Sequence, residues 1–385
     1  MTDLVTPIVL AAGGTGGHMF PAEALAKVLM KRGHRLVWIT DERGSARTGL
    51  LSELPKHIIS ARGLMGSGTL GRLTGALSLG VGVFQARRVL KELNPAAVIG
   101  FGGYAAAPTM MAATHLKLPT ALHEQNGVIG RANKLFAKRV NKVCTSFAAT
   151  RNIPEGVTTI HTGMPVRSAF GAVRAKPYVA PVEGENIRLV VMGGSQGAAV
   201  FSHLIPSALK RLPESLRKKI TIDQQCRSEL IDQTRRAFSN CGVQARLMPF
   251  FDDVPELLAG AHLVIARSGS STTSEVSYSG RPGIYVPYPF AADNHQTDNA
   301  EALAEAGGGW CYQQESLTPN RLAEQIEALL LEPEALATAA ANAKAFAVPN
   351  AADRLADVAE GLVKGSNGHR NGHNNDTTQN VRGAA

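Results

Sequence analysis

Short apolar runs alternate with amphipathic stretches along most of the chain, and the alternation restarts once. In the first half the runs read "LVTPIVLAA", "RLVWIT", "AAVIGFGG", "PTALHE", "KVCTSF" and "TIHTG". Patterns of helical period, such as "PAEALAKVLMKRG" and "GVFQARRVLKEL", lie between several of them. Such alternation predicts βα units around a buried parallel sheet. After a Pro-bearing connector, "GMPVRSAFGAVRAKPYVAP", a second series opens with "IRLVVMGGSQGAAVFSHLIPSAL" and continues through "KITIDQQ", "QARLMPF", "HLVIARSG" and "PGIYVPYP". The expected class is therefore α/β, with two Rossmann-like, doubly wound domains at 1–168 and 169–350. Ligands bind outside the carboxyl ends of such strands, so the crevice between the domains is the expected site. A helix over 351–364 is expected to pack on one of the two domains, with the N-terminal one as the candidate. From Gly365 to Ala385 the chain is polar and nearly free of large apolar groups, which predicts a disordered tail.

Composition sharpens this picture in one respect. The net charge of +9 is uneven: residues 1–168 carry 20 Lys and Arg against 8 Asp and Glu, and the remainder 20 against 23. A negative partner facing the first half is implied, whether nucleic acid, an anionic membrane or a phosphorylated substrate. Cys144, Cys226, Cys241 and Cys311 form no C-x-x-C pair and no metal-ligand spacing, and read as small buried side chains in a reducing compartment. The N-terminus lacks a cationic signal region, and no segment approaches the length of a spanning helix. A cytoplasmic protein that can still touch a membrane is expected.

Two glycine turns, "VLAAGGTGGH" and "VVMGGSQGAA", each link a strand to a helix. Such a turn brings backbone N–H groups and the positive end of a helix close to an anion. The dinucleotide pattern G-x-G-x-x-G fails, because Met19 stands at its third position from Gly14 and Gly16. Asp41, where a ribose-binding acid would stand, keeps a nicotinamide oxidoreductase as an alternative. The segment from Ala266 to Leu303 adds "SGSSTT", a small-residue turn at a helix start, then Glu275. Glu275 fits either a capping box with Thr272 or acceptance of two ribose hydroxyls. "DNHQTDNA" follows, with Asp293, His295, Gln296 and Asn299 near the start of another helix, side chains that suit sugar hydroxyls.

These features describe a nucleotide-sugar pocket, and the sequence resembles the MurG family of GT-B glycosyltransferases. The matching motifs are "GGTGGH", "GFGGYAAAP", "LHEQNGVIGRANK", "TGMPVR", "GGSQGA", "FFDDVPELLAGAHLVIARSG", "TTSE" and "DNHQTDNA", in order from residue 13 to about 300. The resemblance implies an inverting enzyme that moves GlcNAc from UDP-GlcNAc to the C4 hydroxyl of MurNAc in lipid I, giving lipid II for peptidoglycan. It implies a donor site on the second domain, with Gly193, Ser195 and Gln196 near the diphosphate and uridine. Arg267 and the backbone near Phe251 would border the uracil, Glu275 would hold the ribose, and Ser270, Ser271 and Thr272 would offer amides to the diphosphate. His295, Gln296 and Asn299 would hold the sugar, Asn126 would reach in from the first domain, and Arg167 would sit at the connector. Thr15 and Gly16 complete the donor set. Gly13, Gly14, Thr15, Gly17, His18, Gly102, Gly103 and Tyr104 are the acceptor candidates. "SGSSTTSE" departs from the family in carrying Ser270 and Ser271 where an apolar pair is commoner. "ITIDQQCRSE" lacks the histidine and glycine often found after that strand.

Attack by the acceptor's hydroxyl needs a base that is neutral at pH 7, and a helix start disfavours imidazolium at His18. His18 as a cap or an orienting group, with Glu124 as the base, is the rival assignment. No Asp-x-Asp occurs, so no metal or other cofactor is expected to be required, although stimulation by Mg²⁺ is compatible with the sequence. Between Gly63 and Lys91, Leu70, Leu73, Leu77, Leu79 and Phe84 with Arg87 and Arg88 are candidates for a patch that docks on anionic lipid. The implied partners are UDP-GlcNAc, lipid I, that membrane surface and other cell-wall synthesis proteins, without nucleic acid. A UDP-GlcNAc 2-epimerase-like isomerase, which consumes the donor without an acceptor, is the other enzyme alternative.

Overall fold

The computed structural model describes residues 6–14, 16–61, 69–194 and 197–372. Its strands form two wholly parallel sheets. The first holds β1 (Ile8–Ala11), β2 (Leu36–Thr40), β3 (Lys56–Ile58), β4 (Ala97–Gly100), β5 (Thr120–Glu124), β6 (Lys142–Thr145) and β7 (Thr159–His161), in the order 3-2-1-4-5-6-7. The second holds β8 (Ile187–Met192), β9 (Ile220–Gln225), β10 (Gln244–Met248), β11 (Leu263–Ala266), β12 (Gly283–Tyr285) and β13 (Gly309–Cys311), in the order 10-9-8-11-12-13.

The period of two in a strand decides how each core is filled. Ile8 and Leu10 pack into one cluster and Val9 into another on the opposite face. Leu189 and Val191 divide from Val190 and Met192 in the same way. Helices cover both faces, so central strands read as unbroken apolar runs. The edge strands β3 and β13 escape the sequence reading because each has only three residues and is partly exposed.

The strand order reverses between β1 and β4 and again between β8 and β11. These are the switch points where an open parallel sheet leaves a crevice. The turns leaving the four strands carry Gly13–Gly17, Gly102–Gly103, Gly193–Gly197 and Ser268–Gly269, so the glycine motifs meet at the crevice.

The last helix, Ala351–Gly372, returns to the first domain. Its Leu355, Ala356 and Ala359 join the cluster of Leu25, Ala26 and Leu29. Arg32 gathers Asp353 at 3.1 Å, Asp357 at 2.6 Å and Glu360 at 3.1 Å from the same helix. The expectation of a structureless chain from Gly365 is corrected as far as Gly372. Once a helix is nucleated by packing, each further residue adds a hydrogen bond at little cost. Residues 373–385 lie outside the described residues. Phe147 meets Phe346 edge-on at 5.9 Å, and a Cβ on Gly163 would lie 2.4 Å from the Val348 side chain, so the two chain crossings between domains are tightly packed.

Candidate active site

On the first domain, Gly13 is required by packing: a Cβ there would come within 2.6 Å of both Ala105 and the Asp41 carboxylate. Asp41 caps the Glu42–Ser45 helix through Gly44 N at 2.9 Å and also accepts from Arg43. It is buried in this capping role, which removes the ribose-binding acid of the oxidoreductase alternative. Gly14 takes a positive φ of 78°, and Gly16, Gly17 and His18 form the first turn of the Gly16–Lys31 helix. Thr15 lies outside the described residues.

Gly103, at φ +69°, faces the His18 ring, and a Cβ there would lie 3.2 Å from Cε1. Gly102, at φ +77°, abuts the Asn133 amide in the same way. Both glycines let the turn after β4 close on the histidine, and Tyr104 follows, half-buried, within electrostatic reach of Arg131. Burial first, and the neighbouring His295 second, push the His18 pKa down to about 4, so its ring is neutral at pH 7. Sequence reasoning missed His123, which lies close enough to interact with His18. Its Nε2 lies 3.2 Å from Gly163 O and its Nδ1 3.2 Å from the Gln125 amide, which fixes one tautomer. Burial brings its pKa to about 4, against the pull of the Gly163 carbonyl and with a further contribution from His18.

Glu124 is corrected as the rival base. Oε1 accepts from Asn126 N at 3.0 Å and Asn126 Nδ2 at 3.2 Å, and Oε2 accepts from Gly130 N at 2.9 Å and Asn133 Nδ2 at 2.8 Å. Four donors occupy this buried carboxylate, so it shapes the 124–133 loop and has no oxygen turned to a substrate hydroxyl.

On the second domain, the Ser270–Tyr278 helix starts after Gly269 without a side-chain cap. The first amides, at Ser270, Ser271 and Thr272, are therefore left for another acceptor. The hydroxyls of Ser268 and Ser271 are buried there without a partner among the described residues, which marks a place for a polar group. Thr272 lies inside the helix, so the capping box with Glu275 does not form. Glu275 instead accepts from Arg167 Nε at 3.0 Å and Nη2 at 2.9 Å, both on Oε1. Burial raises the Glu275 pKa while Arg167 lowers it. Oε2 is left without a donor among the described residues. Arg167 itself lies 4.8 Å from the Phe20 ring and 5.1 Å from that of Phe170.

Arg267 is buried without a carboxylate, donating to Val286 O at 3.0 Å, Pro287 O at 2.8 Å and Gln314 Oε1. Burial pushes its pKa down to about 10, and Tyr288 borders it at 5.5 Å. The Phe251 side chain belongs to the core, so only its backbone remains for a base. Gln296 Oε1 accepts from Tyr288 N at 3.0 Å, and His295 holds Ala292 O at 2.7 Å through Nδ1. Asn299 is corrected as a sugar ligand. Its Oδ1 accepts from Gly127 N at 2.8 Å, and its Nδ2 donates to Asn126 Oδ1 at 3.2 Å and Ser268 O at 3.0 Å. It joins the domains. Gly193 N is engaged by Gln225 at 3.0 Å, while Ser195 and Gln196 lie outside the described residues.

A separate surface lies on the Thr69–Leu93 helix. Leu77 (64% exposed), Val81 (52%) and Phe84 (71%) stand at spacings of four and three, with Arg88 four further on, and form one outward stripe beside exposed Arg87. Leu79 is corrected: it packs against the core. The side chains of Leu70 and Leu73 lie outside the described residues. Among the described residues no helix is long and apolar enough to cross a membrane.

Comparison with known proteins agrees with this architecture. Residues 8–145 match the glycosyltransferase family 28 N-terminal domain and residues 188–355 its C-terminal domain. The UDP-N-acetylglucosamine–N-acetylmuramyl-(pentapeptide) pyrophosphoryl-undecaprenol N-acetylglucosamine transferase of Paramagnetospirillum magneticum is 52% identical, over 94% of this chain and 98% of its own. The protein of the same name from Rhodospirillum centenum is 50% identical, over 94% and 96%. The crystal structure of Acinetobacter baumannii MurG superposes with a TM-score of 0.75 at 29% identity, covering 92% of this chain and 99% of that one. The two domains are thus those of a GT-B fold, and the chain belongs to glycosyltransferase family 28 and, within it, to the MurG transferases.

Proposed function

We propose that this protein transfers GlcNAc from UDP-GlcNAc to the C4 hydroxyl of MurNAc in lipid I, with inversion, to give lipid II. The observation that carries this reading is 52% identity, across nearly the whole chain, to a transferase named for that reaction. The isomerase and oxidoreductase alternatives are not favoured. In the proposed mechanism, uncapped amides at the Ser270–Tyr278 helix start meet the diphosphate and offset the charge that grows on UDP as the glycosidic bond breaks. The free oxygen of Glu275 receives a ribose hydroxyl, and Gln296 and His295 face the sugar. His18 takes the proton of the attacking hydroxyl. An arriving diphosphate raises its depressed pKa toward the range a base needs.

Incubation with radiolabelled UDP-GlcNAc and a short-chain lipid I analogue tests this. Label is expected in the lipid product, with and without EDTA, because amides and a helix start do the work of a cation. Donor consumption without acceptor would turn the reading to the isomerase; no donor consumption would overturn it.

The proposal extends to location, on the cytoplasmic face of the inner membrane. The stripe of Leu77, Val81 and Phe84 beside Arg87 and Arg88, on the basic half of the chain, supports docking where a polyprenyl-linked acceptor waits. Co-sedimentation is expected with vesicles containing phosphatidylglycerol at low salt and reduced for Phe84→Asp. Equal sedimentation with neutral vesicles would count against it.

A further inference from the structure

One place where the domains meet is the start of the helix His295–Glu305, which belongs to the second domain and carries the proposed sugar-binding His295 and Gln296. Three cross-domain contacts gather there. Arg131 grips Asp293 with Nε at 2.9 Å from Oδ1 and 3.0 Å from Oδ2, and with Nη2 at 2.7 Å from Oδ1. Arg151 pairs with Asp298. Asn299 receives Gly127 N and donates to Asn126, as described above. The helix also lies close to the loop backbone: a Cβ on Gly127 would stand 3.3 Å from Asp298.

These contacts differ in kind. Arg131 is 71% exposed and Asp293 32%, so this bidentate pair orients more than it stabilises. The Asp298 side chain is only 4% exposed, and Arg151 supplies its cation from the other domain. A carboxylate so enclosed is tolerated when paired and strongly disfavoured when not. Parting the domains hydrates Asp298; closing them without Arg151 buries an unpaired charge. The arrangement therefore favours two discrete states, apart and closed.

We propose that Arg131 and Arg151 are positioning residues that hold the closed state and set the donor sugar against the wall bearing His18. This rests on the donor-site reading above. The loop that presents both Gly127 and Arg131 is the one organised by the buried Glu124 carboxylate. Glu124 thus serves the reaction through the alignment of the domains.

The test uses the full-length protein. Arg131→Gln/Arg151→Gln is expected to lower kcat/KM for UDP-GlcNAc by about tenfold or more, as misplacement of reacting groups does. UDP affinity by calorimetry is expected to stay within about twofold, because UDP rests on the second domain alone. Small-angle scattering is expected to show a larger radius of gyration for the variant, and Arg131→Lys/Arg151→Lys should recover most of both. Asp293→Asn provides a second variant; it keeps the left-handed backbone at φ 53° that asparagine tolerates, and is expected to show a smaller loss of the same kind. Unchanged kinetics and scattering in both glutamine and asparagine variants would overturn the proposal. Failure of the wild-type protein to bind UDP would instead overturn the donor-site reading.

Discussion

Replacing His18 with alanine is expected to lower kcat by about 10²-fold or more while UDP binding measured by calorimetry is retained. The imidazole sits in the first turn of a helix, against Gly103 and within reach of two other histidines. Burial first, and His295 beside it second, disfavour its proton, so the ring stays neutral down to about pH 4. Activity governed by kcat/KM is expected to persist as pH falls through 6.5, where an ordinary histidine would protonate, with its acid limb expected near 4. The acid limb of kcat, which reports the loaded enzyme, is expected at higher pH, because a diphosphate bound beside the ring would favour imidazolium. A variant with near-normal turnover, or acid limbs that coincide near 6.5, would remove His18 from this role.

Replacing Arg281 with methionine is expected to destabilise the second domain by about 3 kcal/mol or more. The side chain is 1% exposed and donates to Leu258 O at 2.6 Å, Ser279 O at 2.9 Å, and Gly280 O and Ala259 O at 3.1 Å. Leu258 and Ala259 end one helix, and Ser279 and Gly280 follow another, the Ser270–Tyr278 helix proposed to meet the donor. One guanidinium therefore satisfies the carbonyl ends of two helices, where a positive charge is also favoured by their dipoles. Methionine fills the volume and takes the donor away from the carbonyls of Ala259, Ser279 and Gly280, while Leu258 O keeps the Ala261 N–H at 3.3 Å. Of the two tryptophans, Trp310 lies in the second domain and Trp38 in the first, so urea unfolding followed by fluorescence in a Trp38→Phe background isolates the affected half. An unshifted Trp310 transition would show that water reaches those carbonyls at no cost.

Much of the architecture was legible because central strands such as "IVLA" and "LVIA" are buried on both faces and so are apolar at every position. The glycine turns were legible because positive φ and close approach leave few other choices at Gly14 and Gly103. Side-chain allocation was not. Glu124 and Asn299 have the chemistry of ligands, but their hydrogen bonds go to Gly130, Asn133, Gly127 and Ser268, and nothing local announces which acceptor meets which donor after folding. The same applies to Arg131 and Arg151, whose carboxylate partners stand in the other half of the chain. Arg281 hides in "GRPG", a string that reads only as a turn. Sequence spacing indicates the kinds of group at a crevice; topology decides which of them are already engaged.

The return of the final helix to the first domain makes that domain discontinuous in sequence. Its apolar interior is closed by Leu355, Ala356 and Ala359, so residues 1–168 alone would expose the patch those side chains cover. A chimaera that exchanges the first domain with a relative's must carry this helix with it, or repack the seam along Leu25, Ala26 and Leu29. Because the chain traverses the boundary twice, near Gly163 and near Val348, the two halves are joined by a double strap where a single linker would leave swivelling unrestrained.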